Sequence, residues 1–370
     1  MPTAAVVFNP TKVEREDLAN VIDPAAAAAG WDESVWLETA EDDPGAGMAR
    51  EAVEKGCDVV IAVGGDGTIR AVSEGLRGSG VPLALCPQGT GNLLARNLNM
   101  TLDNLAESVD AAFNGVPRKV DLGIATWSRP GGRQEEQGFV VMAGMGLDAE
   151  IMSTTDEDLK DKVGMLAYVK SGAEAIRNTH RMRLIFQFDN DRPRRAKVHT
   201  VIVGNCGSIG NNVLLLPDAA VDDGLLDVVA VRPQGLWGWV RVGWKVLVDN
   251  AILRRTDSNL VRQNRDRDRQ LSYQQCRTME LTFRDPQEIE LDGDHFGEVL
   301  AVRMQVEPGG LTVQMPAGWT PDPDEEPAAK ETPPDSAAVQ ESPPVDGRGL
   351  DPAEQAAAAA EAAELNKEWD

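Results

Sequence analysis

The sequence predicts an α/β nucleotide-binding domain with a mostly parallel sheet, a second, mainly antiparallel β domain, and a disordered acidic C-terminal tail. Three observations lead there. Short apolar runs alternate with helix-spaced segments over residues 1–122. Strand-like runs dominate residues 123–315, and the last of these strands have the option of returning to the first domain. Residues 316–370 are rich in Pro, Glu, Asp and Ala and nearly free of large apolar side chains, so they bury too little surface to offset the entropy of ordering.

The first domain reads in order. Ala4–Phe8 is a buried-strand run that ends at Asn9-Pro10, and Val13, Leu18, Val21 and Ile22 follow at helical spacing. Ser34–Leu37 is a second strand and Ala46–Lys55 a helix. Asp58–Val63 is a third strand entering Gly64–Thr68, with a helix over Ile69–Arg77 behind it. Pro82–Cys86 is a fourth strand entering Pro87–Asn92, with another helix behind it. This alternation implies βαβ units and ligand binding at the carboxyl ends of the strands.

In the second domain, strands are expected at Phe139–Gly144, Arg183–Phe188, Lys197–Val203, Leu225–Val231, Met279–Phe283, Ile289–Leu291 and Leu300–Val306. Helices are expected near Leu159–Arg177 and Leu236–Leu253. Ala356–Ala360 with its flanking Glu residues has the composition of a transient helix.

Composition narrows the function classes. The 370 residues suffice for two domains, and the 42% apolar content is enough to build their cores. A formal charge of −24 argues against nucleic-acid binding, and residues 320–370 alone carry −11 of it. Cys57, Cys86, Cys206 and Cys276 are far apart with no CxxC, which argues against structural zinc and suits a reducing compartment. The start runs straight into Ala4-Ala5-Val6-Val7-Phe8 with no leader pattern, and the best apolar stretch, 236–253, is broken by Arg241, Lys245 and Asp249. The expectation is a soluble cytoplasmic protein.

Two turns carry chemistry. In Gly64-Gly65-Asp66-Gly67-Thr68, glycines permit positive φ and close backbone approach, and exposed N–H groups at a helix N-terminus favour phosphate oxygens. Thr68 adds a hydroxyl, and Asp66 is a candidate magnesium ligand. Alone, this turn equally suits an ordinary βα connection with Asp66 as a helix cap. Pro87-Gln88-Gly89-Thr90-Gly91-Asn92 falls on the same rim, where Thr90 and Asn92 can bond phosphate or order the loop. Asn9-Pro10-Thr11 reaches that rim too. No Walker GxxxxGK[ST] and no GxGxxG occurs.

These motifs, with Lys119-Val120-Asp121-Leu122-Gly123, the segment Leu216–Leu225 and Leu291-Asp292-Gly293-Asp294, resemble the diacylglycerol kinase catalytic family, including its soluble bacterial and sphingosine-kinase-like members. The resemblance covers residues 4–315 and implies ATP in an interdomain cleft, with phosphoryl transfer to a lipid alcohol. It implies nucleotide contacts from Asn9, Pro10, Thr11, Thr39, Gly64, Gly65, Asp66, Gly67, Thr68, Ile69, Arg70, Thr90, Gly91 and Asn92. It implies Mg2+ at Asp223, with the carbonyls of Ala220 and Leu225 as co-ligands, although spacing alone favours a plain turn with Asp222 and Asp223 solvated. The general base falls to Asp292 or Asp294, with Asp121 a further family carboxylate. Family members usually present Asp-Gly-Glu here, so Asp294 is one methylene short; bare spacing favours an acidic turn, and His295 reads as a surface residue.

The preferred acceptor on this resemblance is diacylglycerol. Sphingoid bases or other lipid alcohols, NAD, and a nonenzymatic binding role are the alternatives. Against NAD stand the Gly89–Asn92 and Pro217–Leu225 segments and the lack of an Asn-Glu pair. A lipid acceptor implies peripheral contact with the inner face of the membrane. Leu236–Leu247, with Trp237 and Trp244 near Leu247 and Val248, is a candidate contact helix, or equally one packed on its own domain. The basic clusters at Arg177–Lys197 and Arg254–Arg269 are candidates to face anionic lipid. A homodimer is left open.

Overall fold

The computed structural model describes residues 1–129, 134–146, 181–209, 214–232 and 271–319. The expected helices at 159–177 and 236–253, the cluster at 254–269, most of the tail and the 356–360 segment lie outside the described residues.

The first half contains β1 (Ala4–Phe8), α1 (Arg15–Ala28), β2 (Val35–Glu38), α2 (Ala46–Glu54), β3 (Val59–Gly64), α3 (Asp66–Leu76), β4 (Leu83–Pro87), α4 (Leu93–Asn97) and α5 (Leu105–Asn114). The four strands lie parallel in the order β4-β3-β1-β2. Each face of this sheet is covered because consecutive side chains point opposite ways. Ala4, Val6, Phe8, Ile61 and Val63 pack with Leu18 and Ile22 of α1 and with Val109 and Phe113 of α5. Ala5, Val7, Val60 and Ala62 pack with Ala49 of α2 and with Ile69, Val72 and Leu76 of α3. Registers pair Phe8 with Val63 and Gly64 with Pro87, so the three strands end in step and deliver their turns to one rim.

The second half contains β5 (Val116–Ser128), β6 (Gln134–Phe139), β7 (Met142–Met145), β8 (Met182–Phe188), β9 (Arg194–Val198), β10 (Thr200–Gly204), β11 (Leu226–Val231), β12 (Leu271–Cys276), β13 (Thr278–Leu291) and β14 (Asp294–Met315). Their mutual pairings are antiparallel, around a core that includes Trp127, Phe139, Leu281, Phe283 and Leu291. The far end of β14 runs parallel to β4, pairing Val313 with Leu83, so both halves share one sheet.

Four strand extents differ from the sequence reading. Phe139–Gly144 is not one strand: β6 stops at Phe139 and β7 starts at Met142, because the amides of Val140, Val141 and Met142 turn onto the Asp292 carboxylate. Lys197–Val203 divides at His199 into β9 and β10, which pair with different partners. Conversely, Met279–Phe283 and Ile289–Leu291 are one strand with irregular register, and Leu300–Val306 is the middle of the much longer β14. The strands β5, β6 and β12 were not expected.

The junction of β5 with the Gly224 and Gly309 turns is pinned by Asp121, on β5. It is buried, and its two carboxylate oxygens accept the Gly224 N–H at 2.6 Å and the Gly309 N–H at 2.7 Å. Burial raises its carboxyl pKa, opposed by those two bonds. Replacing it by alanine leaves two amides without their acceptor. Asp121→Ala is expected to lower stability by about 3 kcal/mol, read as a drop in the urea midpoint; an unchanged midpoint would show that the junction does not depend on this carboxylate.

Candidate active site

The phosphate-type turn is built by β3 running directly into α3. Gly64 ends the strand, Gly65 is extended at φ −94°, and the helix starts at Asp66. The sequence reading invoked positive φ for these glycines, and the structure corrects it. None of Gly64, Gly65, Gly67, Gly89 and Gly91 has positive φ; what they provide is space. A Cβ on Gly89 would stand 2.7 Å from the Gly65 Cα, and one on Gly64 would meet Thr68 at the same distance. The two turns are thus in backbone contact, joined also by Gln88 N–H donating to the Gly64 carbonyl at 2.9 Å.

Asp66 does not cap its own helix. Its two oxygens accept the amides of Asn92, at 2.9 Å, and Leu93, at 2.6 Å, which begin α4. Asn92, held at φ 47°, folds its side chain back onto Gly89, accepting its N–H and donating to its carbonyl. Asn92 therefore orders the loop. Thr90 lies between these anchored residues, with Arg96 reaching its carbonyl at 3.5 Å. On the third turn, Asn9 accepts from the Thr11 amide and hydroxyl, with Pro10 between them. Thr39 is buried and donates its N–H to the Phe8 carbonyl at the same rim. Ile69 and Thr68 are buried within α3.

The second half reaches this rim through the β13–β14 hairpin. Leu291 pairs with Asp294 across the two-residue turn Asp292-Gly293, both at positive φ (50° and 89°), as a type I′ turn requires. Asp292 is buried under the turn, where its oxygens accept the amides of Val140, Val141 and Met142 at 2.8–2.9 Å. Burial pushes its carboxyl up to about 6, against the downward pull of those amides and of Arg70. Asp294, with a side chain 43% exposed, sits over the glycine turn: its oxygens lie 3.1 and 3.2 Å from where a Cβ on Gly67 would be. Arg70 of α3 holds its Oδ2 with Nε and Nη2, both at 3.0 Å. His295, half exposed, pairs with Glu288 and Glu290.

The Asp223 turn is a separate cluster. Asp223 accepts the Leu225 N–H at 3.0 Å, Asp222 binds Arg118 at 2.8 Å, and Gly224 takes φ 71°. Ala220 and Leu225 flank it, half-buried. Among the described residues no group of three or more His, Cys, Asp or Glu side chains could hold a metal, and no helix is long and apolar enough to cross a membrane.

A doubly covered parallel sheet whose glycine turns meet at one rim, faced by a carboxylate from an antiparallel partner, defines a phosphoryl-transfer type of site. The chain belongs to the diacylglycerol kinase catalytic-domain family, a family of lipid kinases. Residues 3–125 match the diacylglycerol kinase catalytic domain, and residues 140–315 match the YegS C-terminal NAD kinase beta sandwich-like domain. A diacylglycerol kinase of Bacillus subtilis (strain 168) is 26% identical over 302 residues, covering 80% of this chain and 91% of the relative. A probable YegS-like lipid kinase of Pseudomonas aeruginosa PAO1 is 31% identical over 283 residues, covering 76% and 84%. A crystal structure of a proposed diacylglycerol kinase from Bacillus anthracis str. Sterne shares the fold, with TM-score 0.63 and 22% identity over 84% of this chain and 94% of that one.

Two predictions follow from the packing. Gly89→Ala should weaken binding of a fluorescent ATP analogue at least tenfold and lower stability by about 1–3 kcal/mol, since the added methyl collides with the Gly65 backbone. The second concerns Asp292, whose folded carboxyl titrates near 6 against 3.8 for the ordinary group. Its contribution to stability is therefore fullest below about pH 3.8 and is lost as pH rises through about 6. Urea unfolding should show the wild type losing stability relative to Asp292→Asn between those values; a constant difference across the range would contradict the shift.

Proposed function

We propose that the chain transfers the γ-phosphate of ATP to the hydroxyl of a lipid alcohol, diacylglycerol giving phosphatidic acid, while peripherally bound to the inner face of the membrane. The observation that carries this reading is the position of Asp294, a carboxylate of the second half held against Gly67 of the phosphate-type turn.

In this reading the Gly64–Thr68 and Gly89–Asn92 turns bind the phosphates through backbone N–H groups, with Asn9–Thr11 and Thr39 on the nucleotide's other side. Asp294 serves as the general base. Its Oδ2 is engaged by Arg70, and Oδ1 is left to take the hydroxyl proton as the lipid oxygen bonds to the γ-phosphorus. The bond from that phosphorus to the bridging oxygen breaks, and ADP leaves. Asp292 supports the hairpin that presents Asp294, and Asp121 supports the junction behind it.

The Asp223 turn suits magnesium by donor type: one carboxylate with the Ala220 and Leu225 carbonyls is a hard-oxygen set of the kind that leaves positions for water. That turn is a cluster apart from the glycine rim, so a magnesium ion there would fix the Asp223 loop rather than neutralise the phosphates. Asp66, whose oxygens meet two amides, is assigned to clamping the turns together.

Radiolabelled ATP offered with diacylglycerol, a sphingoid base, monoacylglycerol and NAD tests the proposal. Label is expected in diacylglycerol, and Asp294→Asn should lower kcat at least about a hundredfold while nucleotide binding persists. Label appearing in NAD alone would sink the lipid reading, and an active Asp294→Asn would remove the base from it.

A further inference from the structure

The arginine at position 70 was expected among the nucleotide contacts, and its guanidinium meets the carboxylate that sits over the glycine turn. The side chain is only 6% exposed. Nε and Nη2 both reach the Oδ2 of Asp294 at 3.0 Å. Nη1 reaches Gln137 Oε1, on β6, at 3.4 Å, and Glu74 Oε2, one helical turn further along α3, at 3.6 Å. The planar group stacks on the Phe296 ring at 4.8 Å, and that ring packs edge-on against buried Trp127 at 5.8 Å. Glu74 in turn accepts the Gly138 amide at 3.3 Å. All three guanidinium nitrogens thus face protein groups, and its plane is fixed by an aromatic wall.

We propose that Arg70 is a positioning residue for Asp294: it reaches from the nucleotide-binding half to draw this carboxylate over Gly67, rather than binding the nucleotide itself. The need for it follows from length. Asp294 stands at the start of β14, and its own side chain has a single methylene with which to reach the turn. Arg70 starts on α3, four residues beyond Asp66, and supplies the missing reach from the opposite side. Because both its carboxylate-facing nitrogens take the same oxygen, Oδ1 stays open toward the glycine turn. The converse also holds. Both Asp294 oxygens already lie 3.1–3.2 Å from a Cβ position on Gly67, so a longer carboxylate clamped by the same arginine would be driven into that turn.

This inference rests on Asp294 acting as the base, and the test separates the two. Steady-state kinetics on the full chain would compare Asp294→Asn, Arg70→Lys, Arg70→Gln, Asp294→Glu and the double variant Arg70→Gln with Asp294→Glu, each checked for folding by thermal melting. Arg70→Lys keeps the charge but cannot span Asp294, Gln137 and Glu74 at once. It should lower kcat by about a hundredfold, the scale of a misplaced reacting group, and leave the KM for ATP within about twofold. Asp294→Glu alone should also be slow. The double variant should be faster than either of its single parents, because the longer carboxylate supplies the reach that the arginine supplied.

A main effect of Arg70→Lys on the KM for ATP, or a double variant no better than its parents, would overturn the positioning role. Full activity in Asp294→Asn would instead overturn the base on which it rests. If Arg70→Gln melts early, Arg70→Lys and Asp294→Glu still decide the outcome.

Discussion

The backbone of β14 is the constraint on which the rest of the arrangement depends. This strand pairs with β13 and β5 along most of its length and then runs parallel to β4 at Val313 and Gln314. One end therefore belongs to the antiparallel second half and the other to the parallel sheet of the first. Its first residue is Asp294, and the strand it joins at its far end, β4, leads straight into the Gly89–Asn92 turn. A hydrogen-bonded strand is stiff and defined in register, so the carboxylate and the turn cannot drift independently. Arg77 reinforces this from α3, bridging to Glu307 on β14 and to Glu136 on β6. Beyond the strand, Trp319 donates to the Leu98 carbonyl and lies under Arg118, returning the chain to the first half.

Carboxylates do most of the fastening, and the reason is chemical. Where the chain turns away from a strand or into a helix its amides lose their ladder partners, and a carboxylate can accept two or three of them at once. Asp66 joins turn to turn, Asp121 joins β5 to the Gly224 and Gly309 turns, and Asp292 gathers three consecutive amides beneath the hairpin. Removing such groups from water raises the pKa values of Asp121 and Asp292, which the amides offset only in part. Asp294 is different in kind: half exposed, it is held by a side chain rather than by backbone. That contrast sets the proposed base apart from the carboxylates that hold the frame.

How much of this could be read from the sequence depends on how local each feature is. In the first half the strands were legible to within about a residue, because strands buried on both faces are short uninterrupted apolar runs such as Ala4–Phe8. The second half was less legible. The polar run Ser272–Gln275 hides β12, whose burial alternates. The break after Phe139 is imposed by Asp292, 152 residues from Val140 in the chain. The same holds at the site. The glycine turns and the Asp-Gly hairpin turn are contiguous motifs with a physical signature, so they could be found. The contact between Arg70 and Asp294 spans 224 residues and leaves no local trace; the one-methylene departure at position 294 put only the reach of that residue in question.

The two halves of the site therefore make different demands on sequence. In the proposed reaction phosphates are met mainly by backbone N–H groups, so what the donor side requires is that certain side chains be absent: Gly89 must leave room for Gly65, and Gly67 for Asp294. Such a requirement is satisfied by one residue type and is insensitive to the acceptor molecule. The acceptor side of that proposal must instead place one carboxylate oxygen within reach of a hydroxyl, which a change of one methylene disturbs. Variation between relatives can then accumulate on the acceptor side, provided that a change in the base is matched by a change in whatever holds it. In this chain the short Asp294 and the long Arg70 form such a matched pair, with Phe296 fixing the plane in which they meet.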